Sequence, residues 1–217
     1  MKNLYNKHLL FWTDKTLWWR IITSLILLTI SIFLSFWAQS YTNTYAIGSV
    51  TPDIILDNIP TFDVTFFFFQ GAAIFMGILA MVLVYEPKYL PFTIEGTALF
   101  FVTRSFFMIM THLASPGSAT YQYVYNDHHI KEVRFTLQSG NDLFFSGHTG
   151  YPFFLALIFW NIPILRYFFF GCSMFGAVIV LLGHLHYSID VFSAFFIAYG
   201  VFEIARRIFK KEFSLIK

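Results

Sequence analysis

The sequence predicts an all-α integral membrane protein, a bundle of six transmembrane helices, on three observations. Of 217 residues, 57% are hydrophobic and only 12% charged, against about 45–50% and about 25% in soluble domains. One soluble core could not hide that much apolar surface from water, whereas a bilayer can. Several charge-free runs, moreover, reach the roughly 20 residues that a helix needs to cross the hydrocarbon: Ile21 to Pro52, Val64 to Tyr85, Leu143 to Leu165 and Tyr167 to Ile189. Finally, the basic residues gather at the ends of these runs. The 30 Phe residues suit a lipid-facing exterior.

The spans read as about 17–38, 64–85, 91–114, 145–163, 165–184 and 187–206. The third is interrupted by Glu95 and Arg104, and the fifth and sixth are joined only around Gly183 to Tyr187. Residues 1–16 form a cytoplasmic or interfacial N-terminal segment, 17–206 the membrane domain and 207–217 a basic cytoplasmic tail; no internal repeat is visible. The first apolar run is longer than a cleaved signal peptide requires, and Ala38-Gln39-Ser40 is a poor cleavage site. The single Cys172 lies inside a span and leaves disulfides no part in the fold.

Orientation follows from charge. Lys2, Lys7, Lys15, Arg20, Lys88, Arg166, Arg206, Arg207, Lys210, Lys211 and Lys217 are 11 of the 14 basic residues, and six spans place them all on one side. The positive-inside rule makes that side cytoplasmic, with Trp12, Trp18 and Trp19 at its interface. The other side receives Asp53, Asp57 and Asp63, read as a solvated loop, and a long loop at about 115–144 containing His128 and His129. A net charge of +2 points to no nucleic-acid partner. The Phe/Ile/Lys/Asn-rich composition suggests a bacterial inner membrane.

Ionisable groups within spans are costly and are functional candidates by default. Three segments place them at the external level: Ser146-Gly147-His148-Thr149 opens span four, His184-Leu185-His186-Tyr187-Ser188-Ile189-Asp190 turns from span five into six, and Arg104 rises in span three. His186 and Asp190 are four apart, a spacing that brings side chains together on a helix. An Asp that accepts from one imidazole nitrogen orients the ring and leaves the other as nucleophile or base. Two His residues flanking a phosphoryl group, one attacking and one protonating the leaving oxygen, complete a double-displacement site. Arg104 would hold the non-bridging oxygens through its planar fork, with Ser146 and Gly147 as further phosphate contacts. Asp142, His184 and Tyr187 are candidate supports. This chemistry needs no metal and no cofactor. Each feature also has an alternative: an isolated HxxxD is weak, His184 reads as an interfacial polar residue, Arg104 could pair with Glu95, and His184, His186 and His148 could bind zinc.

Asn141-Asp142-Leu143-Phe144-Phe145-Ser146-Gly147-His148-Thr149 resembles the GD-x-L-[FY]-SGHT motif of the sphingomyelin synthase family. Gly183 to Val191 resembles its HYTxDV motif. Arg104 with Thr111, Pro116 and Gly117 is similar to its third-span motif, and Thr51-Pro52-Asp53 with Asp57 is a partial echo of its Pro-Leu-Pro-Asp motif. The resemblance runs over about 50–200. It implies the six-span core and His/His/Asp site of the type 2 phosphatidic acid phosphatase superfamily. His186 would be the nucleophile, Asp190 its support, and His148 the acid and then base. It also implies a glycerophospholipid donor of phosphocholine or phosphoethanolamine and a ceramide-like or other lipid alcohol acceptor. The chain departs from the phosphatase pattern: it has no Arg-Pro pair, and Val180 stands where an Arg is expected six places before His186. A lipid phosphatase or phospholipase C-type hydrolase with the same site is the alternative enzyme. A transporter or scaffold is the alternative of another class, although a transporter would place polar groups near the midplane. Oligomeric state is not legible.

Overall fold

The structure is a computed structural model, and it describes residues 8–9, 11–13, 15–45, 50–111, 116 and 143–217. The His128-His129 pair, Asp142 and nearly all of the 115–144 loop lie outside the described residues. Among the described residues the fold is helical throughout, without strands. Helix α1 covers Lys15–Tyr45, α2 Thr65–Tyr85, α3 Leu90–Thr111, α4 Gly147–Ile158, α5 Pro163–Leu182, α6 Ser188–Ile208 and α7 Lys210–Ser214. Five of these, α1, α2, α3, α5 and α6, are long and apolar enough to cross a membrane.

Helix α4 is the exception. Its 12 residues span about 18 Å at 1.5 Å per residue, well short of the roughly 30 Å hydrocarbon. Ser146 caps it at one end and the Trp160–Pro163 turn stops it at the other. It can be short because Tyr151, Phe154, Leu155, Ala156 and Ile158 are buried among neighbouring helices, so it need not match the bilayer. The segment before it is irregular, yet Leu143, Phe145 and Ser146 are essentially inaccessible. Non-helical backbone at membrane depth is tolerated only where protein covers it.

Helix α1 runs further than the expected end at 38. Its buried positions Leu17, Ile21, Ser24, Ser31, Ala38 and Thr42 fall on a heptad stripe, and most of its other side chains are exposed. Such a 3.5-residue seam packs at a shallow angle, and small residues let membrane helices approach closely. It meets α3, where Ser35 and Ser105 hydroxyls lie 2.9 Å apart and Ser24 donates to buried Glu95 at 3.0 Å. The central core joins Phe92 and Phe100 of α3 and Phe154 of α4 to Phe169 of α5 and to Ala194, Ala198, Val201 and Ala205 of α6.

The connections alternate between two ends of the bundle. Leu17, Pro87, Lys88, Asn161, Ile216 and Lys217 share a cleft at one end. The candidate site residues gather at the other.

Candidate active site

Helix α4 begins at Gly147 with Ser146 as N-cap, so His148 occupies its second position. The Ser146 hydroxyl accepts from Thr149 N–H at 3.4 Å and from the Thr149 hydroxyl at 3.2 Å. Ser146 is fully buried, and these bonds give it a capping role. The first N–H groups of a helix have no intrahelical acceptor and attract anions, so this turn is a suitable cradle for a phosphoryl group. Arg104 comes to it from α3: its Nε donates to the Phe145 carbonyl at 3.1 Å and Nη1 approaches Met108 Sδ at 3.6 Å. A Cβ on Gly147 would stand 3.4 Å from Arg104 Nε, in ordinary van der Waals contact, so the guanidinium lies against the start of α4. Glu95 faces Ser24, about 13 Å further down the helix axis at 1.5 Å per residue.

The backbone of His148 is gripped from behind. A Cβ on Gly176 of α5 would fall 2.2 Å from the His148 carbonyl oxygen, so only glycine permits this approach. In front, the Phe68 ring of α2 stacks on the imidazole with centroids 4.0 Å apart, and the Phe68 carbonyl lies 3.3 Å from Nε2. Nothing in the sequence singled out Phe68 within the run Phe66–Phe69.

The His186–Asp190 pair differs from the expected helical pair. Helix α6 starts at Ser188, so His186 precedes the helix and Asp190 is its third residue. They meet across the helix N-terminus, with Nδ1 to Oδ2 at 3.4 Å. The same Oδ2 accepts from Tyr187 N–H at 3.1 Å. His186 Nδ1 and Asp190 Oδ1 have no hydrogen-bond partner among the described residues. The two motifs are joined directly: Ser146 N–H donates to the Asp190 carbonyl at 3.1 Å.

His184 closes α5. Leu185 N–H bonds to the Val180 carbonyl and His184 N–H to that of Leu181, a Schellman cap. Its left-handed position, φ 48°, is filled by His184. The His184 Nδ1 lies 3.2 Å from the Thr61 hydroxyl. Tyr187 is buried, and its hydroxyl accepts from Thr51 N–H at 3.2 Å. Asp142 lies outside the described residues.

The external acidic loop requires a correction. Asp57 and Asp63 are exposed, but Asp53 is buried, and its Oδ2 accepts from Ser188 N–H at 2.7 Å. Its other oxygen accepts from Ile55 and Leu56 N–H at 2.9 and 3.2 Å. Burial pushes the Asp53 carboxyl up, but hydrogen bonds from Ser188, Leu56 and Ile55 outweigh it and hold the group below its ordinary value of 3.8. The signal in the sequence was the Thr51-Pro52-Asp53 echo.

Among the described residues no three His, Cys, Asp or Glu side chains are grouped to hold a metal ion.

Residues 139–207 match the family described as PAP2 superfamily C-terminal. The matched stretch contains both His motifs and excludes Arg104 and Asp53. No curated protein matches the chain.

Proposed function

We propose that the chain is a membrane phosphotransferase that moves a phospho-head group from a glycerophospholipid to a lipid alcohol through a phosphohistidine at His186. One observation carries this reading. Arg104 on the Phe145 carbonyl, Ser146 on the Asp190 carbonyl and Asp190 beside His186 draw three helices' chemistry to one end of the bundle. Asp190 Oδ2, 3.4 Å from His186 Nδ1, orients the ring and leaves Nε2 to attack phosphorus. The bond from phosphorus to the diacylglycerol oxygen breaks, His148 supplies that oxygen's proton, and Arg104 with the first turn of α4 holds the non-bridging oxygens. In the second half His148 takes the proton of the incoming hydroxyl. That oxygen attacks phosphorus, the P–N bond breaks, and His186 is regenerated.

A hydrolytic reading has the PAP2 superfamily similarity behind it, with water in place of the lipid alcohol. The buried apolar setting of Val180, packed with Val64, Ile179, Leu185 and Val191, favours transfer. The reading takes its phosphoryl-binding cation, Arg104, from α3 instead. The reading further places both termini in the cytoplasm and the site on the non-cytoplasmic face, in agreement with the charge distribution. Purified protein given labelled phosphatidylcholine or phosphatidylethanolamine, with and without ceramide, decides between these readings. Acceptor-dependent release of diacylglycerol with a new phosphosphingolipid supports transfer. Acceptor-independent release of free phospho-head group supports hydrolysis, and no turnover of either donor counts against both.

A further inference from the structure

We propose that Asp53 is a positioning residue for the His186–Asp190 pair, acting in trans as the cap of α6; as a catalytic role, this rests on the reading of His186 given above. The N-cap of α6 is Tyr187, a bulky aromatic where Ser, Thr, Asp or Asn ordinarily offers an oxygen to the first N–H groups. The carboxylate available within the first turn is Asp190, and it is already committed. Its Oδ2 receives Tyr187 N–H at 3.1 Å and faces His186 Nδ1 at 3.4 Å. Ser188 N–H is left for another acceptor. Asp53, 135 residues earlier, takes it at 2.7 Å.

The grip is built to be stiff. Both oxygens of Asp53 are occupied by backbone N–H groups, its own N–H donates to Asp57 Oδ2 at 3.1 Å, and Thr51 N–H reaches the Tyr187 hydroxyl at 3.2 Å. Residues 51–57 therefore hold positions 187 and 188, the N-cap and first residue of α6, which directly follow His186. The buried negative charge is also favourable at a helix N-terminus. If the Asp53–Ser188 bond were lost, the start of α6 would no longer be tied to residues 51–57, and the Asp190 carboxylate would shift from its place beside His186. The imidazole would then lose the carboxylate that faces it at 3.4 Å.

Two variants test this from opposite sides of the bond. Asp53→Asn cannot present acceptors to both Ser188 and the Ile55–Leu56 N–H groups. Ser188→Pro deletes the donor at the first helical position, where proline is well tolerated, and Tyr187 at φ −67°, ψ 156° has the extended backbone that a residue before proline requires. Asp63→Asn, in the same loop but outside the grip, is the control for the loop alone. The readout is the pair of imidazole nitrogen shifts of His186 in ¹⁵N-histidine-labelled protein in detergent at neutral pH, assigned by their loss in His186→Gln. The expected result is one Nδ1-protonated tautomer in the wild type and in Asp63→Asn, and tautomer-averaged shifts in Asp53→Asn and Ser188→Pro. On the transferase reading, kcat falls in step by on the order of 10²-fold, as small misplacements can cost, with KM little changed. Unchanged His186 shifts in Ser188→Pro, or an equal change in Asp63→Asn, would overturn the proposal. The nitrogen shifts need no substrate, so failure of the phosphotransfer reading would leave this test standing.

Discussion

His186 and Asp190 meet at 3.4 Å over the start of α6, and on the proposed mechanism His186 and His148 differ in what their loss should do. His186→Ala removes the nucleophile and should abolish turnover. His148→Ala removes acid–base assistance, typically about 10²–10⁴ in rate, and should leave slow turnover. Initial rates on one labelled donor rank the two. Arg104→Lys should also impair kcat, because an ammonium cannot reproduce the planar fork; full activity in that variant would remove Arg104 from the phosphoryl site. Asp53 has its own pH signature. Its folded value lies below 3.8, so its stabilisation is complete above the unfolded value and is lost as pH falls through the folded one. Melting temperatures of wild type and Asp53→Asn in detergent should therefore differ by a constant amount above about pH 5, clear of the reference carboxylate value, and converge as pH falls through the folded value. At this scale the sequence made His148, His186, Asp190 and Arg104 legible, because ionisable groups at the ends of apolar runs stand out. Asp53 looked solvated because its burial depends on a contact with Ser188, 135 positions away. Phe68 was one of four identical neighbours.

Helix ends, rather than helix faces, build the candidate site. The start of α4, the Schellman end of α5 and the start of α6 supply most of its groups. Two substitutions probe them. His184 occupies the left-handed position of the α5 cap at φ 48°, where glycine is the usual residue. His184→Gly should raise stability by about 1 kcal/mol from relieved backbone strain, read as a higher melting temperature in detergent; a lower one would mean that the Thr61 contact outweighs the strain. Gly176→Ala would drive a methyl group to 2.2 Å from the His148 carbonyl. Forcing the helices apart should cost about 1–3 kcal/mol and lower activity by shifting His148. The sequence placed the six helical segments well because charge-free runs are long and unambiguous. It overextended the fourth, since hydropathy alone cannot separate a spanning helix from the 12-residue helix wrapped by its neighbours. It stopped the first too early, because the polar residues after Ala38 continue a buried seam.

At the scale of the whole molecule, alternating connections put the cleft shared by Leu17 and Lys217 and the candidate site at opposite ends of the bundle. The basic residues then predict which end faces the cytoplasm. In a Cys172→Ser background, Asn58→Cys should react with an impermeant maleimide added to intact cells, and Lys217→Cys only after lysis; the reverse pattern would invert the topology. The account depends most on a covalent bond between phosphorus and His186. Enzyme quenched in alkali after brief exposure to a donor labelled in its phospho-head group should carry the label on a single histidine-containing peptide. The label should be lost in His186→Ala, and in His148→Ala it should form and decay slowly. Label retained in His186→Ala, or turnover surviving that substitution, would contradict the assignment of the nucleophile and the double displacement built on it.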